Sequence, residues 1–262
     1  MKFGCVVTPR DFGAVRKIGY DYAELSGRAL QAMTPVEFRE LKSLLFWEGL
    51  PCRGLNAYCP PEIVIAGPGF SDDKAGAYAQ SLLDRAAELG VAVIGVGSPN
   101  SRTLPAGFSR ALAWEQTLRF FDVTARVFEP AGITVCVEAL AACYTNHIAT
   151  LDEACRIVRQ AARPNLKAVI DFYNMEHNGE ADIPLEAFAP DIAHAHISDD
   201  AGSPLKRWFL DGSKYAKHIQ RLRRLYACGY HGGVTVEIDL PVEAGAAAET
   251  LKILQEAAEN PA

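Results

Sequence analysis

Short apolar-rich runs of five or six residues alternate along the chain with longer stretches whose apolar positions recur at helical spacing. The short runs predict strands at Phe3–Val7, Tyr20–Leu25, Arg53–Tyr58, Ala92–Val96, Thr134–Ala139, Lys167–Asp171, Ala193–Ser198 and Val234–Ile238. Helix signals stand between them. Thr34-Pro35-Val36-Glu37 combines a capping box with proline at the first helical position, and that helix is predicted to reach Trp47 before Gly49. Thr150-Leu151-Asp152-Glu153 is a second capping box, heading a helix that stops near Pro164. A third helix is predicted to start at Asp72 or Asp73 and end at Leu89-Gly90. A fourth runs from about Lys214 to Cys228 and stops at Gly229.

Eight strands, each followed by a helical or loop segment with no break in composition, argue for an α/β fold: a single (β/α)8 TIM barrel forming one domain over residues 1–262. A doubly wound sheet would expect a glycine-rich phosphate turn after the first strand, and VVTPRDFG has none. The length of 262 residues suits a barrel, and 49% apolar residues supply a large core. No apolar run is long enough to cross a membrane. The N-terminal MKFGCVVTPRD carries too short an apolar run for a signal peptide, so a cytoplasmic location is expected. A net charge of −6 argues against nucleic acid as a partner. Seven scattered cysteines without a CxxC fit reduced structural thiols better than disulfides or a zinc knuckle.

Residues at the C-terminal ends of barrel strands face the active site, and four successive strands end here in polar groups. Glu138 closes VCVE, Asp171 closes AVID, His196 lies in HAHIS and Glu237 in VTVE. Alternation turns Val135 and Val137 toward the helices and Cys136 and Glu138 toward the axis. In the same way it turns Val234, Val236 and Ile238 outward and leaves Thr235 and Glu237 inside. Three carboxylates around one mouth repel one another and lose hydration unless something compensates. A divalent cation compensates, and three carboxylates with one imidazole suit Mn²⁺ or Mg²⁺ best, with Zn²⁺ and Co²⁺ also open. His194, two residues deeper, is expected to fill the barrel and bond a neighbour, so the ligand is assigned to His196.

These residues, with GYDYAELSG (19–27), GVGSPNSRTLPAGFS (95–109), VCVEAL, AVIDFYN, HAHISD and GYHGGVTVEID (229–239), resemble in order the sugar phosphate isomerase/epimerase superfamily, the xylose isomerase-like barrels. The resemblance implies a metal held by Glu138, Asp171, His196 and Glu237. In the epimerase branch the two glutamates are also acid/base catalysts on opposite faces of a sugar. It implies polarisation of a substrate carbonyl by the metal, proton removal from the neighbouring carbon by one glutamate, and return through an enediolate by the other.

The resemblance breaks at one position. Relatives often carry Asp-x-x-His after the sixth strand, and here Asn174 takes the histidine's place in Asp171-Phe172-Tyr173-Asn174. An amide still offers a donor and an acceptor for a substrate hydroxyl. His177, three residues on, reads as a loop residue. With only six histidines and this one replaced, a three-zinc endonuclease IV-like cluster is disfavoured. Arg207, in the loop after strand seven, and Arg102, in the loop after strand four, are expected substrate contacts. Asn146 is expected to orient substrate or a neighbouring loop. Glu24, at the pocket floor, is expected to bind a hydroxyl or to neutralise an arginine. Tyr144, Phe172, Tyr173, Trp208 and Phe209 are candidates to wall a sugar's apolar face. The expected partner is a small carbohydrate, with neither nucleic acid nor membrane involved, and with a homodimer or homotetramer compatible with the family. Two rival readings stand: a metal-dependent lyase or dehydratase, including one cleaving C-glycosides, on the same site, and a non-catalytic binding subunit.

Overall fold

The structure is a computed structural model describing residues 1–239 and 241–259. Eight parallel strands close into a barrel: β1 (Lys2–Val6), β2 (Tyr22–Ser26), β3 (Cys52–Asn56), β4 (Val93–Val96), β5 (Thr134–Glu138), β6 (Leu166–Asp171), β7 (Ile192–Ile197) and β8 (Gly233–Val236). Each strand pairs with the next, and β8 closes on β1 from Lys2↔Gly233 to Cys5↔Val236. Nine α-helices are described: α1 (Phe12–Ile18), α2 (Gly27–Ala32), α3 (Pro35–Glu48), α4 (Asp72–Leu89), α5 (Arg110–Phe128), α6 (Leu151–Ala161), α7 (Phe172–His177), α8 (Tyr215–Ala227) and α9 (Ala244–Glu259). Among them, none is long and apolar enough to cross a membrane. The (β/α)8 architecture is the one the strand spacing predicts.

Both capping boxes are formed. Thr34 and Thr150 each accept from the backbone N–H three residues on, while Glu37 and Glu153 reach back to the cap. α4 starts at Asp72 as expected, with Ser71 as its cap and Asp72 and Asp73 in the first turn, where the helix dipole favours negative charge. Gly49 and Gly90 end α3 and α4 at φ of 63° and 73°, a conformation that glycine adopts without the steric cost of a Cβ. β2 starts two residues later than predicted. Tyr20 is drawn out of the strand, buried, and donates its Oη to the Ala247 carbonyl of α9 at 3.0 Å. His177 lies not in a loop but at the end of the short helix α7, exposed, its ring 4.5 Å from that of Tyr173.

Val135, Val137, Val234 and Val236 are fully buried, in the layer between barrel and helices that alternation assigns them. The barrel interior is polar. Tyr22, Glu24, His194, His196 and Thr235 are buried there, and small residues make the space. A Cβ on Gly4 would lie 2.1 Å from the Tyr22 ring, and one on Gly54 would lie 2.8 Å from the Glu24 carboxylate. All seven cysteines are free, and burial raises the thiol pKa of Cys5, Cys52 and Cys136.

The capping box of α6 gives a direct check on these local signals. Thr150→Ala is expected to cost about 1 kcal/mol of stability. It should appear as a lower urea midpoint with an unchanged slope.

Candidate metal and active site

Glu138 and Asp171 are the last residues of β5 and β6, His196 is next to last in β7, and Glu237 follows β8 directly. Closure of the barrel brings one donor atom of each to within 4.8 Å of the others. His196 Nδ1 lies 3.0 Å from Glu138 Oε1 and 3.3 Å from Glu237 Oε2. Gly97 leaves room for this arrangement, since a Cβ there would stand 2.5 Å from Glu138 Oε2.

Below these groups, Glu24 is sealed from solvent, with Oε1 2.9 Å from His196 Nε2 and Oε2 2.8 Å from His194 Nε2. His194 Nε2 also lies 3.2 Å from Thr235 Oγ1, which bonds Tyr22 Oη at 2.8 Å. Burial acts to raise the Glu24 pKa, but the two imidazoles hold it well below the usual carboxylate range. An ionised carboxylate only accepts, so both Nε2 atoms carry their protons. A neutral His196 ring then turns the Nδ1 lone pair toward two carboxylates. That juxtaposition is repulsive unless a proton or a metal cation lies between them.

The ionisation pattern has the same cause. Burial, Glu237 and Asp171 push the Glu138 carboxyl up to about 7. Against burial, Arg207 and His196 hold that of Glu237 down at about 2. His196 is raised well above its ordinary value, burial notwithstanding, by Glu24, Glu237 and Glu138. Glu237 Oε2 lacks a well-directed hydrogen bond, although Arg207 Nη1 is 2.9 Å away. Four convergent donors, among them an imidazole nitrogen and one under-bonded buried carboxylate oxygen, fit a single divalent cation.

Arg207 is delivered by a short antiparallel hairpin, Asp199-Asp200 pairing with Arg207-Trp208. Its Nη2 is 2.8 Å from Asp171 Oδ2, and its guanidinium stacks over Tyr173 at 4.5 Å. Asp239 fixes it from both sides, accepting from the Arg207 N–H and donating to the Arg207 carbonyl. Tyr144 Oη bonds the Pro204 carbonyl at the hairpin tip, at 2.9 Å.

The other expected contacts have protein partners. Asn174 donates to Asp171 Oδ2 at 2.7 Å and accepts from the Ala141 N–H at 3.0 Å. Its donor thus braces Asp171 and its acceptor holds the turn at Ala141. Arg102 is fully buried behind β5 and donates to the Glu138 and Ile148 carbonyls, so solvent does not reach it. Asn146 bonds both the N–H and the carbonyl of Leu104, which makes it a clamp on the neighbouring loop. Glu24 meets imidazoles, not an arginine or a hydroxyl.

Asn56, at the end of β3, escaped sequence analysis. Its Nδ2 lies 3.3 Å from Glu237 Oε1, and its only signal is a polar residue at a strand's C-terminal end. It also lines a cleft of about 280 Å³ at this end, with Thr8, Arg10, Asp11, Ser26 and Asp239. A larger cavity of about 560 Å³ opens at the opposite end, around Lys2, Arg53 and His231, away from the carboxylates. Barrel chemistry belongs to the C-terminal end, which favours the smaller cleft.

The fold recurs in known proteins. A D-psicose 3-epimerase of Ruminiclostridium cellulolyticum is 25% identical over 166 residues, 62% of this chain, and the match spans 56% of that protein's length. The 3-keto-D-glucoside 4-epimerase of E. coli superposes with a TM-score of 0.75 at 22% identity, covering 98% of this chain and 99% of that one. A xylose isomerase-like barrel from Mycobacterium smegmatis, in complex with magnesium, gives 0.69 at 17% identity over 97% and 89% of the two chains. A model of the xylose isomerase-like TIM barrel matches residues 12–257, and the chain belongs to that family.

Proposed function

We propose that this protein is a divalent-metal-dependent epimerase or isomerase of a small sugar or keto-sugar. The observation that carries this reading is the convergence of Glu138, Asp171, His196 and Glu237 at the barrel mouth. The curated relative and several structural neighbours named as sugar epimerases support it.

In this reading Asp171 and His196 hold the cation, and Glu138 and Glu237 hold it while facing the substrate. Bound there, a cation such as Mn²⁺ or Mg²⁺ supplies a Lewis acid for negative charge developing on a substrate carbonyl oxygen. Glu237 is kept ionised by Arg207 and is suited to accept the proton from the carbon beside that carbonyl. Glu138, across His196 from Glu237, is suited to return one to the opposite face of the enediolate carbon. The C–H bond broken on one face is remade on the other, with no net redox change. Arg207, stacked on Tyr173 beside Glu237, is placed to bind a sugar oxygen. Asn56 and the cleft over β1, β2 and β3 receive the remaining hydroxyls. Asn174 and Arg102 act behind this surface, on Asp171 and on the end of β5.

Purified protein is expected to contain about one divalent cation per chain by elemental analysis. Chelation should abolish turnover and Mn²⁺ restore it. With a panel of ketohexoses and 3-keto-glucosides in D₂O, deuterium should enter the carbon next to the carbonyl. Glu237→Gln should lower that exchange by about 10²–10⁴-fold. Elimination products in place of epimers would move the assignment to a lyase or dehydratase. Wild-type turnover after Glu237→Gln, or without any cation, would sink the reading.

The buried pairing below the site gives a separate expectation. Glu24→Gln keeps the shape but offers one acceptor where two imidazole N–H groups need one each. Cation affinity, measured by titration calorimetry, is expected to fall about 10–100-fold while circular dichroism stays native.

A further inference from the structure

The cavity of about 560 Å³ at the N-terminal end of the barrel is larger than the cleft at the mouth, and the proposed chemistry leaves it unused. Its size lies within the range of small-molecule sites. His194 forms part of its lining and is only 2% exposed. The Nε2 of that ring is committed inward, 2.8 Å from Glu24 Oε2 and 3.2 Å from Thr235 Oγ1. The Nδ1 has no hydrogen-bond partner among the described residues, yet it is not one of the atoms closed off from solvent. Because the ring lines this cavity, a polar atom of a buried side chain is presented to it.

Thr134, the first residue of β5, shares the inward face of Cys136 and Glu138. It also lines the cavity, and its hydroxyl has no partner among the described residues. Tyr22 gives the wall an apolar surface, since its Oη is taken by Thr235 at 2.8 Å. Gly233 makes room for that ring, because a Cβ there would stand 2.5 Å from the Tyr22 Oη. The rim is cationic although the whole chain carries a net charge of −6. Asp21 is the one carboxylate among the described lining residues, and it is already held by Lys2 Nζ at 2.6 Å and the Phe3 N–H at 2.9 Å. Arg53 and His231 stand exposed at the same rim, and the Arg53 guanidinium has neither an ion pair nor a hydrogen bond among the described residues.

We propose that this cavity binds a small hydroxylated organic anion, a sugar acid or a sugar phosphate, with its anionic group at Arg53 and a hydroxyl at Thr134 and His194 Nδ1. A guanidinium fork matches a carboxylate or a phosphate equally. A hydroxyl both donates and accepts, so it meets a threonine hydroxyl and an imidazole nitrogen alike. A neutral polyol lacks the group that Arg53 takes. An apolar molecule would displace water from the Thr134 hydroxyl and the His194 Nδ1 and leave both unbonded, which is costly. The site lies at the far end of the barrel from Glu138 and Glu237, so it does not depend on the epimerase reading.

Titration calorimetry at low ionic strength with D-gluconate, with D-glucose 6-phosphate and with sorbitol as the neutral counterpart tests this. At least one anion should bind saturably and sorbitol should not, and the tighter anion tells carboxylate from phosphate. Arg53→Gln should weaken anion binding about 10–100-fold, and Thr134→Val roughly 5-fold. Both variants should keep native circular dichroism and the divalent-cation content of the wild type, which separates this site from the one at the mouth. Failure of both anions to bind, sorbitol binding as tightly as either, or anion binding unchanged by Arg53→Gln would each overturn the proposal.

Discussion

A carboxylate without access to water sits on the axis of this barrel, and both of its oxygens are taken by imidazole nitrogens. Burying such a charge costs several kcal/mol unless its partners are well placed. Here the placement orders what lies above. Because Glu24 can only accept, it decides which nitrogen of His196 holds the proton and so which one faces the mouth. Gly54 and Gly4 are the steric counterpart of this demand, leaving the volume that the carboxylate and the Tyr22 ring occupy. Glu138 and Glu237 then meet at the Nδ1 of that same ring.

The mouth is assembled from loops that hold one another. The hairpin carrying Arg207 is pinned by Asp239 beyond β8 and by Tyr144 in the loop after β5. Asn178, just past α7, bonds the backbone of Leu140, Ala142 and Ala149 in that same loop. The guanidinium between Asp171 and Glu237 is therefore held from three directions, and the charges around it depend on loops of three different strands.

Much of this was legible in the chain. Glu138, Asp171, His196 and Glu237 announce themselves because strand alternation and position at a strand end are local properties, readable within a few residues. The capping boxes at Thr34 and Thr150 are local in the same way, and both formed. What stayed hidden depends on contacts between distant segments. Glu24 and His194 are 170 positions apart, and nothing near either one names the other. Asn174 reads as a free amide until the turn at Ala141 comes to meet it. Arg102 reads as a mouth residue until the loop after β4 folds it behind β5. A charged side chain near a strand end has two fates, facing the cleft or bracing its floor, and local pattern does not separate them.

The pairing of Glu24 with the two histidines also bears on how the barrel is divided. Its carboxylate comes from β2, in the first half of the chain, and both imidazoles come from β7, in the second. Half-barrels cut between β4 and β5 would each inherit one side of a buried ionic contact, with no means of satisfying it. The polar axis thus ties the two halves of the barrel together through β2 and β7. A fragment of four strands would leave either Glu24 or its two imidazoles without the other side of the contact.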